Sequence, residues 1–490
     1  MTNAHALPDL APAAPLPAVP LPALPSGVAL PGDEHYARNL IGGRWQFPAA
    51  PFEFEIRNPL DSTVSTVVPL SSRFDVARAV TAARAATRPW SSDGDMRHRL
   101  LTQLVDRLEF LAGPLAQLQS LETGLASADS RAAVAAVTRL ARILLATRAR
   151  DAEDAEDAGH EPVGRVGGHI LSWGLPFAEV VCSVLPDLLA GRTVVVKPSL
   201  RAPMSAVAFA HLATHLGFPP GVINIVQGTG VDTGAALAST HDLAALHVRA
   251  GDRTLDQAAR AVKVTGTRLH CLRAGGNVVL AGRGADPDRV AAAVTDALRV
   301  HSTGGLLNLP LLSVQAEAAG QVVDAVLARL PGCPAAPLPT EPLRTRALSQ
   351  VAALQAAGAR VLRGGTVPDD AAHRMGWLLP PTVVTAGAMR DGAGSHTRGT
   401  AAGAPLGPVL TVVTWRSPAE LAGTLPHPRY ADAIACVWGL DDDELAAAGL
   451  PQAVILQEAT PMTALHDALL PAAWMGGYAS GPGEPSDLGW

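Results

Sequence analysis

Residues Ile170–Ser199 read ILSWGLPFAEVVCSVLPDLLAGRTVVVKPS, and this stretch decides the architecture. A loop leads into an amphipathic helix and then into a short β-branched strand, Thr193 to Val196, which stops at Lys197-Pro198-Ser199. Apolar strands linked through helices belong to parallel sheets covered on both faces. Open sheets of that kind bind ligands outside the carboxyl ends of their strands, and Lys197 stands at such an end. Lysine occurs in this chain only at positions 197 and 263; every other permanently cationic side chain is arginine. A compact ammonium in an arginine-using chain suits a point donor to ligand hydroxyls. The bland alternative is a surface lysine after a strand.

Through Trp173, Pro176, Gly191, Lys197, Pro198 and Ser199, the stretch resembles the aldehyde dehydrogenase superfamily. The usual text there is Pro-Trp-Asn-Phe-Pro, a helix, then a strand ending Lys-Pro-Ser-Glu. The Asn position carries Gly174 and the Glu position Leu200. The resemblance covers roughly Asn39 to the end. It implies an α/β fold of the aldehyde dehydrogenase type, with a Rossmann-type cofactor domain, an α/β catalytic-type domain, and NAD or NADP as cofactor.

The 490 residues, 48% of them hydrophobic, can bury two medium domains or one large one. A net charge of −6, without a dense Lys/Arg run, gives no case for nucleic acid. No apolar run reaches membrane-spanning length. Cys182, Cys271, Cys333 and Cys436 are scattered, with no CxxC pair and no histidine at ligand spacing. That pattern argues against a disulfide framework and a structural zinc, so no metal is expected and a reducing cytoplasm is the default.

The resemblance divides the chain as follows. Residues 1–34 form a Pro/Ala-rich disordered tail, since proline density forbids a helix and no basic n-region marks a signal peptide. Residues 35–150 and 165–274 form the cofactor domain. Residues 151–164 are an acidic linker in place of the family's oligomerisation strand, because alternating Asp/Glu and Ala is poor strand material. Residues 275–450 form the catalytic-type domain. Residues 451–490 return to the cofactor domain and end in a truncated segment, so both oligomerisation strands are expected to be degraded.

Within the cofactor domain, Gly42-Gly43 and Asn58-Pro59 punctuate a β-meander, and Arg73 to Leu145 has helical periodicity. The Leu121-Glu122-Thr123-Gly124 turn is both a family feature and an ordinary helix C-cap. The strand Val222 to Val226 precedes Gly228-Thr229-Gly230-Val231-Asp232-Thr233-Gly234 and a helix. That order is a dinucleotide-fold signature, because glycine permits the tight turn and close backbone approach. Where the family reads Phe-Thr-Gly-Ser before a phosphate-binding helix, this chain reads Arg249-Ala250-Gly251-Asp252. A carboxylate at that helix N-terminus competes with phosphate for the same N–H groups, with Arg249 and Arg253 to offset it, so phosphate binding is weakened. The cofactor-binding candidates are Trp173, Lys197, Ser199, Gly228, Gly230 and Gly251.

Aldehyde oxidation in the family needs a thiolate nucleophile, an amide donor for the oxyanion and a carboxylate base. Carried over residue by residue, the cysteine position falls on Leu306, the base on Arg273 and the oxyanion asparagine on Gly174. The carboxylate for the nicotinamide ribose falls on Ala404. Leucine has no nucleophilic atom, and arginine accepts no proton near neutral pH. No catalytic residue of the usual kind is therefore expected.

The resulting expectation is a pseudoenzyme: a regulatory or scaffold partner of an active paralogue in a hetero-oligomer, or a homodimer, with weak NAD or NADP binding. Its rivals are an active NAD(P)-dependent oxidoreductase using a non-standard residue, and a nucleotide sensor. Cys271, two residues before Arg273 on one strand face, is the candidate substitute, since an adjacent guanidinium lowers a thiol pKa. The plainer reading of Cys271 is a buried structural cysteine on a central strand. Ser302 and Thr303, with no Gly-x-Ser-x-Gly elbow nearby, read as turn formers.

Overall fold

The computed structural model describes residues 30–154, 166–241, 243–273, 277–300, 308–385, 407–424, 434–447 and 454–458. A helical turn, α1 (Asp33–Tyr36), precedes the hairpin β1 (Asn39–Ile41) and β2 (Arg44–Gln46). Gly42 and Gly43 close that hairpin with φ of +60° and +76°, the left-handed pair that a tight two-residue turn requires. β3 (Glu53–Arg57) and β4 (Val64–Pro69) form a separate two-stranded ribbon. The expected meander is thus two hairpins, of which only the first joins the main sheet, through β1.

Four helices follow, α2 (Arg73–Ser92), α3 (Gly94–Phe110), α4 (Ala112–Thr123) and α5 (Ser127–Asp154). The start of the acidic repeat, Asp151–Asp154, is therefore a helix end; residues 155–165 and 1–29 lie outside the described residues.

Next come β5 (Val166–Ile170), α6 (Pro176–Leu189), β6 (Thr193–Lys197), α7 (Met204–His215) and β7 (Ile223–Ile225), then a five-residue π-type turn (Gly230–Gly234), α8 (Ala235–Ala238), β8 (Leu243–Ala250), α9 (Asp252–Thr265) and β9 (Arg268–Arg273). They build a seven-stranded sheet in the order β2-β1-β7-β6-β5-β8-β9, parallel from β7 to β9. The strand order reverses between β5 and β8, which makes their carboxyl ends the switch point at which such sheets take ligands.

A second seven-stranded sheet contains β10 (Val278–Ala281) and β11 (Leu311–Gln315) at its centre, beside Val409–Trp415 and Ile434–Trp438. All its pairings are parallel except at the Arg360–Arg363 edge. The two α/β units touch through a bond from Arg299 to Asp129 and through Trp377 N–H donating to Pro59 O at 2.7 Å. Gly376 has no room for a side chain there, since a Cβ would lie 2.2 Å from Leu60 O. No helix among the described residues is long and apolar enough to cross a membrane.

The Leu121–Gly124 turn does two jobs. Gly124, at φ +72°, ends α4, and its N–H donates to Ser120 O at 2.8 Å. Glu122, almost fully buried, caps the start of α7 from outside by accepting from Met204 N (2.7 Å), Ser205 N (3.1 Å) and the Ser205 hydroxyl. Those are donors that a helix N-terminus otherwise leaves orphaned. Burial raises its carboxyl to about 7, against the lowering effect of the Ser205 and Met204 hydrogen bonds. A folded pKa above the unfolded 4.5 means that this group's stabilisation is complete below 4.5 and declines as pH rises towards 7. Denaturant titrations of Glu122→Gln should accordingly show a flatter stability–pH slope than wild type across that window. Glu122→Ala, which orphans all the donors, should cost about 2–3 kcal/mol; equal slopes for the Gln variant and wild type would refute the assignment.

Candidate functional site at the carboxyl edge of the first sheet

β5 and β6 end side by side, with Ile170 opposite Lys197, and Leu171 N–H closes the pair by donating to Lys197 O at 3.0 Å. The chain then turns through Trp173 and Gly174 into α6, whose first residue, Pro176, has no N–H to leave unsatisfied. Trp173 is buried in this turn. Lys197 is also buried, its stem passing beside Gly234. Its ammonium donates to Pro198 O at 2.7 Å and to Gly228 O at 3.3 Å. Burial pulls its pKa down to about 8, so it is charged at neutral pH and neutral above.

Gly228 has a φ of +155°, and a Cβ there would lie 2.0 Å from Thr233 Oγ1. The turn after it is tied down by Thr229 Oγ1, which accepts from Asp232 N at 3.0 Å, and by Thr233 Oγ1, which donates to Ser71 O at 2.6 Å. Gly230 and Gly251 are the opposite case: nothing lies within 4 Å of a Cβ at either position, so the backbone faces open space. Gly251 is the N-cap of α9 and makes no side-chain cap. Ser199 serves locally, its hydroxyl accepting from Arg201 N at 3.3 Å.

Two expectations change. Arg249 does not serve the start of α9; it is buried beneath α6, with Nε 3.9 Å from Glu179 Oε2. Strand alternation puts it there, on the face opposite Ala250. Glu179 accepts from the Ser172 hydroxyl at 2.6 Å through Oε1, while Oε2 has no hydrogen bond. Burial raises the Glu179 carboxyl, and Arg249 and Ser172 oppose the rise. Cys271 lies on the edge strand β9, half-buried against the apolar side of β8 and α9, rather than on a buried central strand. Burial pushes the Cys182 thiol up to about 11 and raises those of Cys333 and Cys436, so none of these three is a ready thiolate.

Gly174 brings no side-chain amide to the loop beside Lys197. Leu306, Ala404 and the side chain of Arg273 lie outside the described residues.

One feature has no counterpart in the sequence reading. His169, His247 and His270 are register partners on β5, β8 and β9. Their rings stack at 4.7 Å and 4.8 Å, nearly parallel, over Asp187 of α6. The signal was a single histidine in each of three apolar runs, which only the register aligns.

A doubly wound sheet with a lysine and glycine turns at its carboxyl edge, joined to a second parallel α/β unit, defines a dinucleotide-type enzyme scaffold. Residues 45–448 match the profile of the aldehyde dehydrogenase family, and the chain belongs to that family. It is 30% identical over 416 residues to 3,6-anhydro-alpha-L-galactose dehydrogenase of Streptomyces coelicolor, covering 80% of this chain and 82% of that protein. It is 33% identical over 221 residues to human aldehyde dehydrogenase 1A1, a match to only 42% of this chain and 44% of the relative. The structure resembles PnpE from Pseudomonas sp. WBC-3 with a TM-score of 0.75 at 26% identity, over 86% of this chain and 90% of PnpE. PnpE is also known in complex with nicotinamide adenine dinucleotide.

Replacing Arg249 by Met strands the Glu179 carboxyl in the interior. The expected loss near neutral pH is about 3 kcal/mol by denaturant unfolding. It should shrink as acid protonates Glu179, because a raised folded pKa makes the group's contribution full below the unfolded value and lost above it. Glu179→Gln should rescue most of the loss; additive single and double variants would mean that the two side chains are uncoupled.

Proposed function

We propose that this family member is catalytically silent and acts as a regulatory or scaffold partner of an active paralogue in a hetero-oligomer, with weak NAD or NADP binding. One observation carries the reading: the nucleotide edge is equipped, while Gly174, Arg273 and Leu306 occupy the positions of the amide donor, base and nucleophile. The domain division set out from the sequence, a cytoplasmic setting and degraded oligomerisation strands belong to this proposal, with a homodimer as the alternative assembly.

The edge residues fit a dinucleotide. The open space over Gly230 and Gly251 admits close backbone approach, and the Lys197 ammonium stands against Gly228 O at the head of the Gly228–Gly234 turn. Lys197 would donate to ribose hydroxyls, and the first N–H groups of α9 would face the phosphates. The cofactor, when bound, supplies a hydride-accepting ring. The family's positions carry no usual catalytic group in this sequence: Gly174 has no side-chain amide for an oxyanion, Arg273 cannot take a proton, and Leu306 cannot attack a carbonyl.

The named relatives are dehydrogenases, and this favours a second reading, an active NAD(P)-dependent oxidoreductase using a non-standard residue such as Cys271. A nucleotide sensor is the intermediate case. Calorimetric titration of the purified chain with NAD and with NADP runs beside a turnover assay over a panel of aldehydes: turnover marks the active enzyme, binding without turnover a sensor or regulatory partner, and neither a pure scaffold. Binding without turnover is expected, with an affinity that falls as the pH rises through about 8, where Lys197 loses its proton. Lys197→Met should abolish that pH dependence. Substantial NAD-dependent oxidation of any aldehyde would sink the proposal.

A further inference from the structure

We propose that His169, His247 and Asp187 form a binding site for a divalent transition-metal ion of the zinc class, buried between α6 and the first sheet. His169 and His247 sit opposite each other on β5 and β8 and project from the same face. Asp187 comes down from α6, and its Oδ2 lies 3.1 Å from His169 Nε2 and 3.6 Å from His247 Nε2. The three donor atoms all lie within 4.8 Å of one another, and all three residues are buried. Zinc–ligand bonds of about 2.0–2.2 Å in tetrahedral geometry set donors about 3.4 Å apart. Both distances to the carboxylate are close to that spacing, and the two imidazoles, stacked nearly parallel at 4.7 Å, would tilt for both Nε2 lone pairs to converge on one ion.

Three further observations point the same way. His247 Nε2 is buried without a hydrogen-bond partner, although a buried polar nitrogen normally finds one. A proton shared between His169 and Asp187 accounts for that pair and leaves His247 unexplained, whereas an ion engages all three. His169 Nδ1 is held by the Ser183 hydroxyl at 2.8 Å, the outer contact that fixes ring orientation in metal-bound histidines. Gly167, two residues before His169 on the same face of β5, makes room for the carboxylate: a Cβ there would lie 1.9 Å from Asp187 Oδ2 and 3.1 Å from His169 Nε2.

Arg192 donates to the other carboxylate oxygen, Oδ1, at 3.2 Å, while both imidazoles face Oδ2. Two imidazoles and one carboxylate are a donor set for zinc, cobalt or nickel, and a water-derived ligand would complete the coordination. The ion would clip the last turn of α6 to β5 and β8. The ligands are far apart in sequence, so the absence of short-range ligand spacing says nothing about this site.

The test uses the full-length chain produced with zinc supplementation, dialysed extensively and measured for metal by plasma mass spectrometry. A parallel preparation with cobalt is read by its visible absorption. Zinc stoichiometric with the chain and the intense visible bands of four-coordinate cobalt are expected. Asp187→Asn and His247→Gln should lose both, while His270→Gln, which alters the neighbouring ring outside the ligand set, should keep both. Should the ligand variants fail to fold, the wild-type measurement still decides: wild type with only trace metal and no cobalt bands overturns the site. Metal loss in His270→Gln equal to that in His247→Gln overturns the assigned ligands.

Discussion

The register that sets β5 between β6 and β8 is the constraint on which the rest of this structure depends. Parallel pairing places Ile170 opposite both Lys197 and Val248, and His169 opposite both Val196 and His247. Because side chains alternate across a sheet, one face then carries Gly167, His169, His247 and Arg249 towards α6, and the other carries Ile170 and Lys197. A slip of β5 by one residue would turn Gly167 and His169 towards α2 and α9 and bring Ile170 under α6, separating His169 from His247. The carboxyl edge at Ile170 and Lys197 and the buried polar stripe both follow from the pairing of β5 with its neighbours.

That polar stripe is unusual material for a core. Bringing Glu179, Asp187, Arg249 and the imidazoles out of water is costly unless each charge meets a partner in good geometry. Asp187 meets that condition: burial alone would raise its pKa, yet His247, His169 and Arg192 together hold it at about 2. Glu179 meets it less well, because Arg249 stays 3.9 Å away and Oε2 lacks a bond, and its carboxyl remains raised. The stripe is strong near β5 and weaker towards the ligand edge.

Much of this was legible in the sequence. The β-branched run ending at Lys197 announced a parallel strand, and Gly42-Gly43 announced a hairpin, because both signals are local: strand propensity in one case, backbone sterics in the other. Glu122 was legible as part of a turn and illegible as a cap, since its partners stand on a helix 82 residues on. Arg249 was placed at the phosphate helix from its position in the chain, and strand alternation sent it to the opposite face. The histidine row was invisible for the same reason on a larger scale. Register between distant strands depends on how whole helices pack, and no window along the chain contains it.

Lys197 is the residue hardest to account for without a ligand. A buried ammonium that meets two carbonyls and, among the described residues, no carboxylate sits where burial lowers its pKa from 10.5 to about 8. A methionine would fill the same channel beside Gly234 without that cost. Structural duty alone therefore favours replacement, and the chain has discarded lysine almost everywhere else. At Gly174, Arg273 and Leu306 the sequence holds none of the amide, carboxylate or thiol found at those positions in the family. A costly buried ammonium kept at the carboxyl edge, in a chain whose sequence lacks those groups, is the contrast on which the proposed binding without turnover rests.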